Sequence, residues 1–466
     1  MNINLQEVEL SNMSTGDDIG RVFYWKGGVF RGIYREKEKS VRELFDSGLM
    51  EELIREGLVP ETTITDHSMD NFAIVLEHKK ILSVTYPFEW SFEMLKDAAS
   101  IVLKINIVAK KYGYQTKDCH PFNILFEGTC PQYIDIGSFV KIDPSSNDWI
   151  AYDEFLKSYL YLFHIARTNE YHWVKQLLAT DQLISHESFF LYKYPVLRFL
   201  GLRSVKGIVK IWRLFNIGDA ISEDKIKEAF KLLAPVILFL RRNRIVPFRA
   251  KNLQSLQRVV ERSKKMGYKT MWGEYQSNFD ETNDRFNRII EIISDNGIKS
   301  VFEVAGNQGF FANMLLKKAG VERIFCSDYD VNAVDVMYLR YRNSKQLCPV
   351  LINFLFQNQT SFTLQGDVRF KSDLVVALAV SHHIILTQNQ SIDFFFDSLI
   401  RYTNKFIVVE FMPMGLWDSV TNTVPPTPSW YTLDWFREHF LKFFSLIVEE
   451  EVAKNRIVFF GELKVK

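Results

Sequence analysis

Apolar and polar positions change their spacing twice along this 466-residue chain, and the changes separate three zones. Between residue 20 and about 85, short β-rich runs at 21–25 and 29–34 flank a Gly27-Gly28 turn. A charged helical pattern follows from Glu36 to about Glu56. From about 92 to 265 apolar residues recur at helical spacing, as in 92–112, with one Gly- and Pro-punctuated interruption at 113–145. From about 284 onward, strand-like apolar runs alternate with helical runs, which predicts a parallel sheet covered by helices. No period of about 20–50 residues recurs, which argues against a repeat array.

The third zone carries the densest chemistry. Its segment 300–309 reads as a short apolar strand through Glu303 and Val304, then a small-residue turn, Ala305-Gly306-Asn307-Gln308-Gly309. A helix pattern over 310–318 follows. Strand, turn and helix N-terminus together let backbone amides approach a ligand closely. About twenty residues beyond Gly309 a strand ends on Asp328, an acid placed to accept hydrogen bonds from both ribose hydroxyls of an adenosine ligand. A third strand, 349–355, carries Asn353. The fourth runs from Asp373 through Ala377 directly into Ser381-His382-His383. The fifth, 406–410, ends on Glu410, and 444–452 with 456–463 predict a closing antiparallel pair.

This series resembles the class I S-adenosylmethionine (SAM)-dependent methyltransferases, from about residue 270 to the end. The resemblance places Glu303 at the acid of the family's first motif and Ala305, Asn307 and Gly309 at its three turn positions, with Gly306 among them. Two usual glycines are thus replaced, by a small residue and by Asn, which enters left-handed conformations more readily than most. It implies SAM over this turn with its ribose on Asp328. Two residues compete for the adenine-contacting position: Asn353, which we favour, and Asp367, six residues before Asp373. The stretch from Asp373 to His383, with Ala377, is similar to the family's fourth strand and its Leu-His-His-Leu turn, Ser381 replacing the first Leu. A dehydrogenase also uses a strand, a glycine turn and a ribose acid, but this turn lacks the G-x-G-x-x-G spacing.

Methyl transfer from a sulfonium asks the protein to align a nucleophile and, for a hydroxyl, to accept its proton. Imidazole titrates near neutrality. His382 and His383 are therefore the candidate bases, with Glu410 in reserve; packing beneath the cofactor is the other reading of the histidines. No compact cluster of carboxylates and histidines marks a metal site in this zone. Upstream, Trp272 and Tyr275 precede a helical pattern at 281–295. They either cover the SAM pocket, as related segments do, or pack a domain junction.

The interruption at 113–145 holds Asp118-Cys-His-Pro-Phe-Asn123 and then Tyr133-Ile-Asp135-Ile-Gly137. Two apolar runs with a turn at 128–131 predict a hairpin bearing Asp118, Asn123 and Asp135 at its open end. This resembles the catalytic and metal-binding loops of protein-kinase-like folds, including small-molecule and sugar kinases. The resemblance gives Asp118 the catalytic-base position and Asn123 and Asp135 the positions that hold magnesium, implying Mg-ATP. There is no Gly-rich phosphate loop, and Arg31 stands where the clamping lysine is expected, with Glu43 or Glu51 to face it. The expectation is a kinase-like pocket with weak or absent ATP turnover.

The formal net charge is +1 and no nucleic-acid module is present, so nucleic acid is not an expected partner. The stretch 193–251 mixes apolar runs such as 232–240 with a basic excess including Arg241, Arg242 and Arg244. It reads as a solvated helical face, with anionic lipid or a phosphorylated acceptor as the alternative contact. Cys119, Cys130, Cys326 and Cys348 form no CxxC pair, which argues against a disulfide scaffold or structural zinc. The first residues lack the basic and apolar regions of a signal peptide, and no apolar run reaches about 18 residues, so a cytoplasmic protein is expected.

The expected architecture is α/β: an α+β kinase-like domain over 1–265 that ends in a helical connector, then a Rossmann-like SAM-dependent methyltransferase domain over 266–466. The combination resembles bacterial two-domain methyltransferases of polysaccharide, nodulation-factor or surface-glycan biosynthesis. That implies a hydroxyl of a sugar, glycan or related small molecule as acceptor, with a lipid-linked or membrane-surface acceptor as a variant. A bifunctional kinase-methyltransferase and a non-catalytic scaffold or binding protein are the alternatives.

Overall fold

The computed structural model describes residues 1–145, 149–180, 183–195, 198, 201–216, 252–267, 270, 283–356, 363–418 and 421–464. The Trp272 and Tyr275 segment and the basic run at 217–251 lie outside them. The chain forms two compact units: unit 1 comprises Met1–Ile81, Leu95–Leu125 and Pro131–Gly267, and unit 2 comprises Leu82–Met94, Phe126–Cys130 and Tyr268–Lys466. A single cut at 265/266 therefore omits two early segments that belong with the C-terminal unit.

Unit 1 contains β1 (Glu9–Leu10), β2 (Gly20–Trp25), β3 (Gly28–Ile33), α1 (Glu38–Asp46), α2 (Leu49–Arg55), β4 (Thr62–Ile64) and β5 (Ile74–His78). The strands form one antiparallel sheet in the order β1-β2-β3-β5-β4. β2 and β3 turn on Lys26 and Gly27, with φ of 48° and 80°; positive φ at both central residues matches the twist of a tight hairpin. The helix expected over 36–56 is broken, because Gly48 at φ 81° ends one helix and starts the next. α3 (Phe92–Lys111) leads to β6 (Tyr114–Thr116), β7 (Ile124–Glu127), β8 (Cys130–Tyr133) and β9 (Phe139–Lys141). β7 pairs with β8 as the predicted hairpin, and β6 pairs antiparallel with β9. Helices α4 (Tyr161–Thr168), α5 (His172–Ala179), α6 (His186–Lys193), α7 (Gly201–Asn216) and α8 (Leu253–Arg262) complete the unit.

Unit 2 is a doubly wound, Rossmann-like α/β sheet. Its later elements are α9 (Asp284–Ser294), β10 (Ser300–Glu303), α10 (Phe310–Lys318), β11 (Arg323–Asp328), α11 (Val331–Arg340) and β12 (Leu347–Leu351). They continue with β13 (Ser372–Ala377), α12 (Ile392–Ile400), β14 (Thr403–Phe411), α13 (Leu433–Phe443), β15 (Phe444–Ala453) and β16 (Arg456–Leu463). The seven strands are ordered β12-β11-β10-β13-β14-β16-β15. The first five are parallel, and β16 runs antiparallel to both β14 and β15. Strand order reverses between β11 and β13 on either side of β10, the place where open α/β sheets bind ligands at their carboxyl edge. Both faces are buried, one under α9 and α10 with Phe286, Ile289 and Phe311, the other under α12 and α13 with Phe396, Phe436 and Phe440.

The two early segments are integral to this unit. Glu89 forms a two-pronged pair with Arg369 at 2.5 and 2.9 Å, both side chains almost wholly buried. Trp90 packs edge-on against Phe126 at 5.0 Å, and the Thr129 hydroxyl donates to the Tyr341 carbonyl at 3.0 Å. A Cβ on Gly128 would lie 2.2 Å from the Ser344 carbonyl oxygen, so only glycine permits that approach. Among the described residues no helix is long and apolar enough to cross a membrane.

Candidate functional site

The turn between β10 and α10 is built from alternating left-handed residues. Ala305, Asn307 and Gly309 have φ of 52°, 54° and 73°. These are the three positions the methyltransferase resemblance assigns to glycine. Asn tolerates this region, Gly favours it, and Ala holds it against a steric penalty. Gly306 is required for another reason: a Cβ there would meet Cys326 Sγ at 2.3 Å and Glu303 Cδ at 2.9 Å. Neighbouring strands thus leave room for bare backbone alone.

Two carboxyls lie at this edge. Asp328 ends β11, and its oxygens accept the amides of Asn307 and Asp330, each at 2.9 Å. Burial pushes its pKa up to about 6, against the opposing pull of those amides. Glu303 is buried, accepts the Cys326 thiol at 3.3 Å, and is pushed up to about 8 by burial. No arginine or lysine side chain hydrogen-bonds either carboxyl among the described residues. Asn353 stands two residues past β12, exposed, with its side-chain oxygen accepting the Leu355 amide at 3.0 Å. Asp367 instead precedes the start of β13 by five residues, at the amino edge. The topology therefore puts Asn353, not Asp367, on the edge shared by the turn and Asp328.

Ala377 ends β13 fully buried, and Ala379 takes φ 52° before the paired histidines. Glu410 organises this turn. Its carboxylate accepts the Ala379 amide at 2.8 Å, and its backbone carbonyl accepts the Ser381 hydroxyl at 2.6 Å. Arg285 grips the same carboxylate through Nε at 2.6 Å and Nη2 at 2.7 Å, and Arg456 adds a third bond at 3.1 Å. This carboxylate is fully buried, and its charge is met by two guanidinia. Arg285 and Arg456 had no signal in the sequence, since they lie 125 and 46 residues from their partner.

The His382 and His383 rings lie 4.0 Å apart between centroids, tilted by 41°. Burial pushes His382 down to about 3, helped by the neighbouring His383 and Arg456, and burial also lowers His383. Both rings thus sit below the ordinary imidazole value, and burial is the first cause in each. His382 Nδ1 and the Tyr431 hydroxyl are buried and make no hydrogen bond among the described residues. Tyr431 packs at a tilt against Phe411, the residue after Glu410, with ring centroids 5.0 Å apart. Nothing in the sequence singled it out.

In unit 1 the structure brings Asp118, Asn123 and Asp135 together. The Asn123 amide donates to the Asp118 carboxylate, and burial and Glu154 raise Asp118 to about 6. Asp135 is likewise raised to about 6, by burial against the opposing pull of Arg31. Arg31 pairs with Asp17 at 2.6 Å and approaches Asp135 at 3.5 Å. Neither expected glutamate faces it: Glu43 pairs with Lys141 at 2.6 Å, and Glu51 is exposed. Asp17, which the sequence reading overlooked, takes that place.

No protein-family model matches the chain. Over 396 residues it is 25% identical to the nodulation protein NoeA of Rhizobium meliloti (strain 1021), covering 80% of this chain and 79% of that protein. Among solved structures, the N-methyltransferase NodS from Bradyrhizobium japonicum WM9 is 12% identical with a TM-score of 0.29, covering 40% of this chain and 99% of its own. Magnesium protoporphyrin IX methyltransferase from Synechocystis PCC 6803 is 12% identical with a TM-score of 0.29, covering 53% and 100% respectively.

Proposed function

We propose that unit 2 is a SAM-dependent methyltransferase acting on a hydroxyl of a sugar, glycan or related small molecule. One juxtaposition carries this reading: the buried Asp328 carboxylate accepts the amide of Asn307, from the left-handed turn that follows β10. Turn and acid thereby meet at the strand-order reversal, where a nucleoside is bound in sheets of this kind. Glu303, Ala305, Gly306, Asn307 and Gly309 would line the cofactor's near side, with Asp328 on the ribose, Asn353 on the adenine and Ala377 at the end of β13. SAM supplies an electrophilic methyl group on a cationic sulfur. The chain's own task is to hold that methyl in line with the acceptor oxygen, and to take the hydroxyl proton onto a neutral imidazole of His382 or His383. The likeness to NoeA, a nodulation protein, supports an acceptor of the surface-glycan or nodulation-factor class.

The test is calorimetric titration of SAM into the full chain and into Asp328→Ala. The variant should bind about 1.5–3 kcal/mol more weakly, the range for hydrogen bonds to a charged group. Equal affinity in a folded variant removes Asp328 from the site. A wild-type chain with no SAM binding favours the scaffold alternative.

A second reading rests on the Asp118–Asn123 pair beside Asp135. It is a Mg-ATP pocket in unit 1, of kinase-like type, which would make the enzyme bifunctional. The Arg31 guanidinium, already spent on Asp17 and Asp135, favours weak or absent turnover. Asp135→Ala separates the cases. Acceptor-dependent ATP consumption that disappears in this variant establishes the bifunctional enzyme, whereas loss of methylation alone assigns unit 1 to holding the acceptor.

A further inference from the structure

Unit 1 contains a cavity of about 460 Å³, within the roughly 300–1,000 Å³ typical of small-molecule sites. Its floor is apolar: Leu160, Phe163 and Phe189 are buried there, and Val259 of α8 closes one side. Its rim is cationic, carrying Arg167 from α4, Lys193 from α6, and Arg262 and Lys264 from the end of α8 and just beyond. Among the described residues no Asp or Glu lines it and none of these four cations is ion-paired.

That arrangement is unusual for a merely structural void. Structural cavities are lined by apolar atoms, and cations gathered near one normally recruit carboxylates. Here four cations line one cavity with no carboxylate beside them among the described residues. The Lys193 ammonium sits near the rings of Phe189 and Tyr194, at 5.7 and 5.3 Å, and burial lowers its pKa. His164, edge-on to Phe189 at 5.4 Å, is pushed down to about 4 by burial and by the field of Lys193 and Arg167. The space inside is therefore both greasy and positive.

We propose that this cavity binds an anionic amphiphile: one hydrocarbon chain in the apolar floor, with a phosphate or carboxylate head held by Arg167, Lys193, Arg262 and Lys264. The site is separate from the methyl-transfer reading and stands or falls without it. A chain alone would leave the cations unpaired, and an inorganic anion alone would leave the floor empty. Both halves of the ligand are required.

Calorimetric titration of the full chain with decyl phosphate, decanol and inorganic phosphate tests this. Decyl phosphate should bind one to one, and decanol and inorganic phosphate should each bind at least about tenfold more weakly, since head and floor act together. The paired substitution Arg167→Gln with Arg262→Gln alters two exposed side chains and should weaken decyl phosphate by about tenfold or more with the melting temperature retained. Val259→Trp should block binding by filling the cavity. Co-sedimentation with phosphatidylcholine vesicles containing phosphatidylglycerol distinguishes the sources: pelleting that the paired substitution abolishes marks a membrane lipid, and decyl phosphate binding without pelleting marks a soluble ligand. Decanol binding as tightly as decyl phosphate, or unchanged affinity in the paired variant, would overturn the proposal.

Discussion

Asp328 and Glu410 each lie at or near the carboxyl end of a parallel strand in one sheet, and in the sequence they look alike. In the structure their surroundings are opposite. Asp328 is held by two backbone amides and no guanidinium, and burial drives its pKa up to about 6. Glu410 is gripped by Arg285 and Arg456 and also accepts an amide. Amides orient a carboxylate but leave its charge uncompensated, so the group still gains from hydroxyl donors on a ligand. Two guanidinia leave it nothing to gain. One acid keeps an uncompensated charge, and the other ties down the backbone ahead of the histidines through Ala379 and Ser381.

The largest effect that could break this contrast is on stability. Glu410→Ala removes a fully buried carboxylate and leaves the partly buried Arg285 and Arg456 without their partner, and should cost about 3–5 kcal/mol in urea unfolding. Asp328→Ala, which removes no ion pair, should lose far less stability while losing SAM affinity. If Glu410→Ala instead melts like wild type and only turnover falls, Glu410 is the proton acceptor after all.

A smaller effect is expected on pH dependence. Glu303 and Asp328 have folded pKa values raised to about 8 and about 6, so the folded state holds their protons more tightly than the unfolded chain. The stability they contribute is fully present below the ordinary carboxylate range and is lost as pH rises through those values. The melting temperature of the ligand-free protein should accordingly fall between about pH 5 and about pH 8. Glu303→Gln, which cannot ionise, should flatten most of that decline; an unaltered slope would show that the carboxyl is not buried uncompensated.

The smallest effect sharpens the picture of the turn. Ala305 at φ 52° carries a left-handed penalty that glycine avoids, partly offset by glycine's greater unfolded-state freedom. Ala305→Gly should stabilise the protein by up to about 1 kcal/mol in thermal unfolding. A destabilised variant would mean that the methyl group packs usefully and outweighs the backbone strain.

Local pattern made much of unit 2 legible. Phe310–Lys318 and Arg323–Asp328 fall where apolar spacing put them, because α10 and β11 are bounded by their own turn chemistry. The left-handed turn was legible because Asn and Gly report backbone conformation directly. What escaped was long-range. Arg285 meets Glu410 across 125 residues, and no local spacing marks either as a partner. The same holds for Asp17 with Arg31: an acid in a loop acquires its role only when a sheet brings the arginine to it. The histidines' weakened basicity was hidden too, since burial is a property of the fold and not of the dipeptide.

The pair between Glu89 and Arg369 joins positions 280 residues apart within unit 2. Translation emits roughly 5–20 residues per second, so Arg369 follows Glu89 out of the ribosome by on the order of 14–56 s. During that interval Leu82–Met94 exists as nascent chain whose destination has not been made. Vectorial folding of this protein cannot therefore proceed as two finished beads on a string. A ribosome stalled before residue 369 would carry Glu89 and the apolar residues around it without their later partner, a state for which a chaperone that shields apolar nascent segments would be the natural custodian.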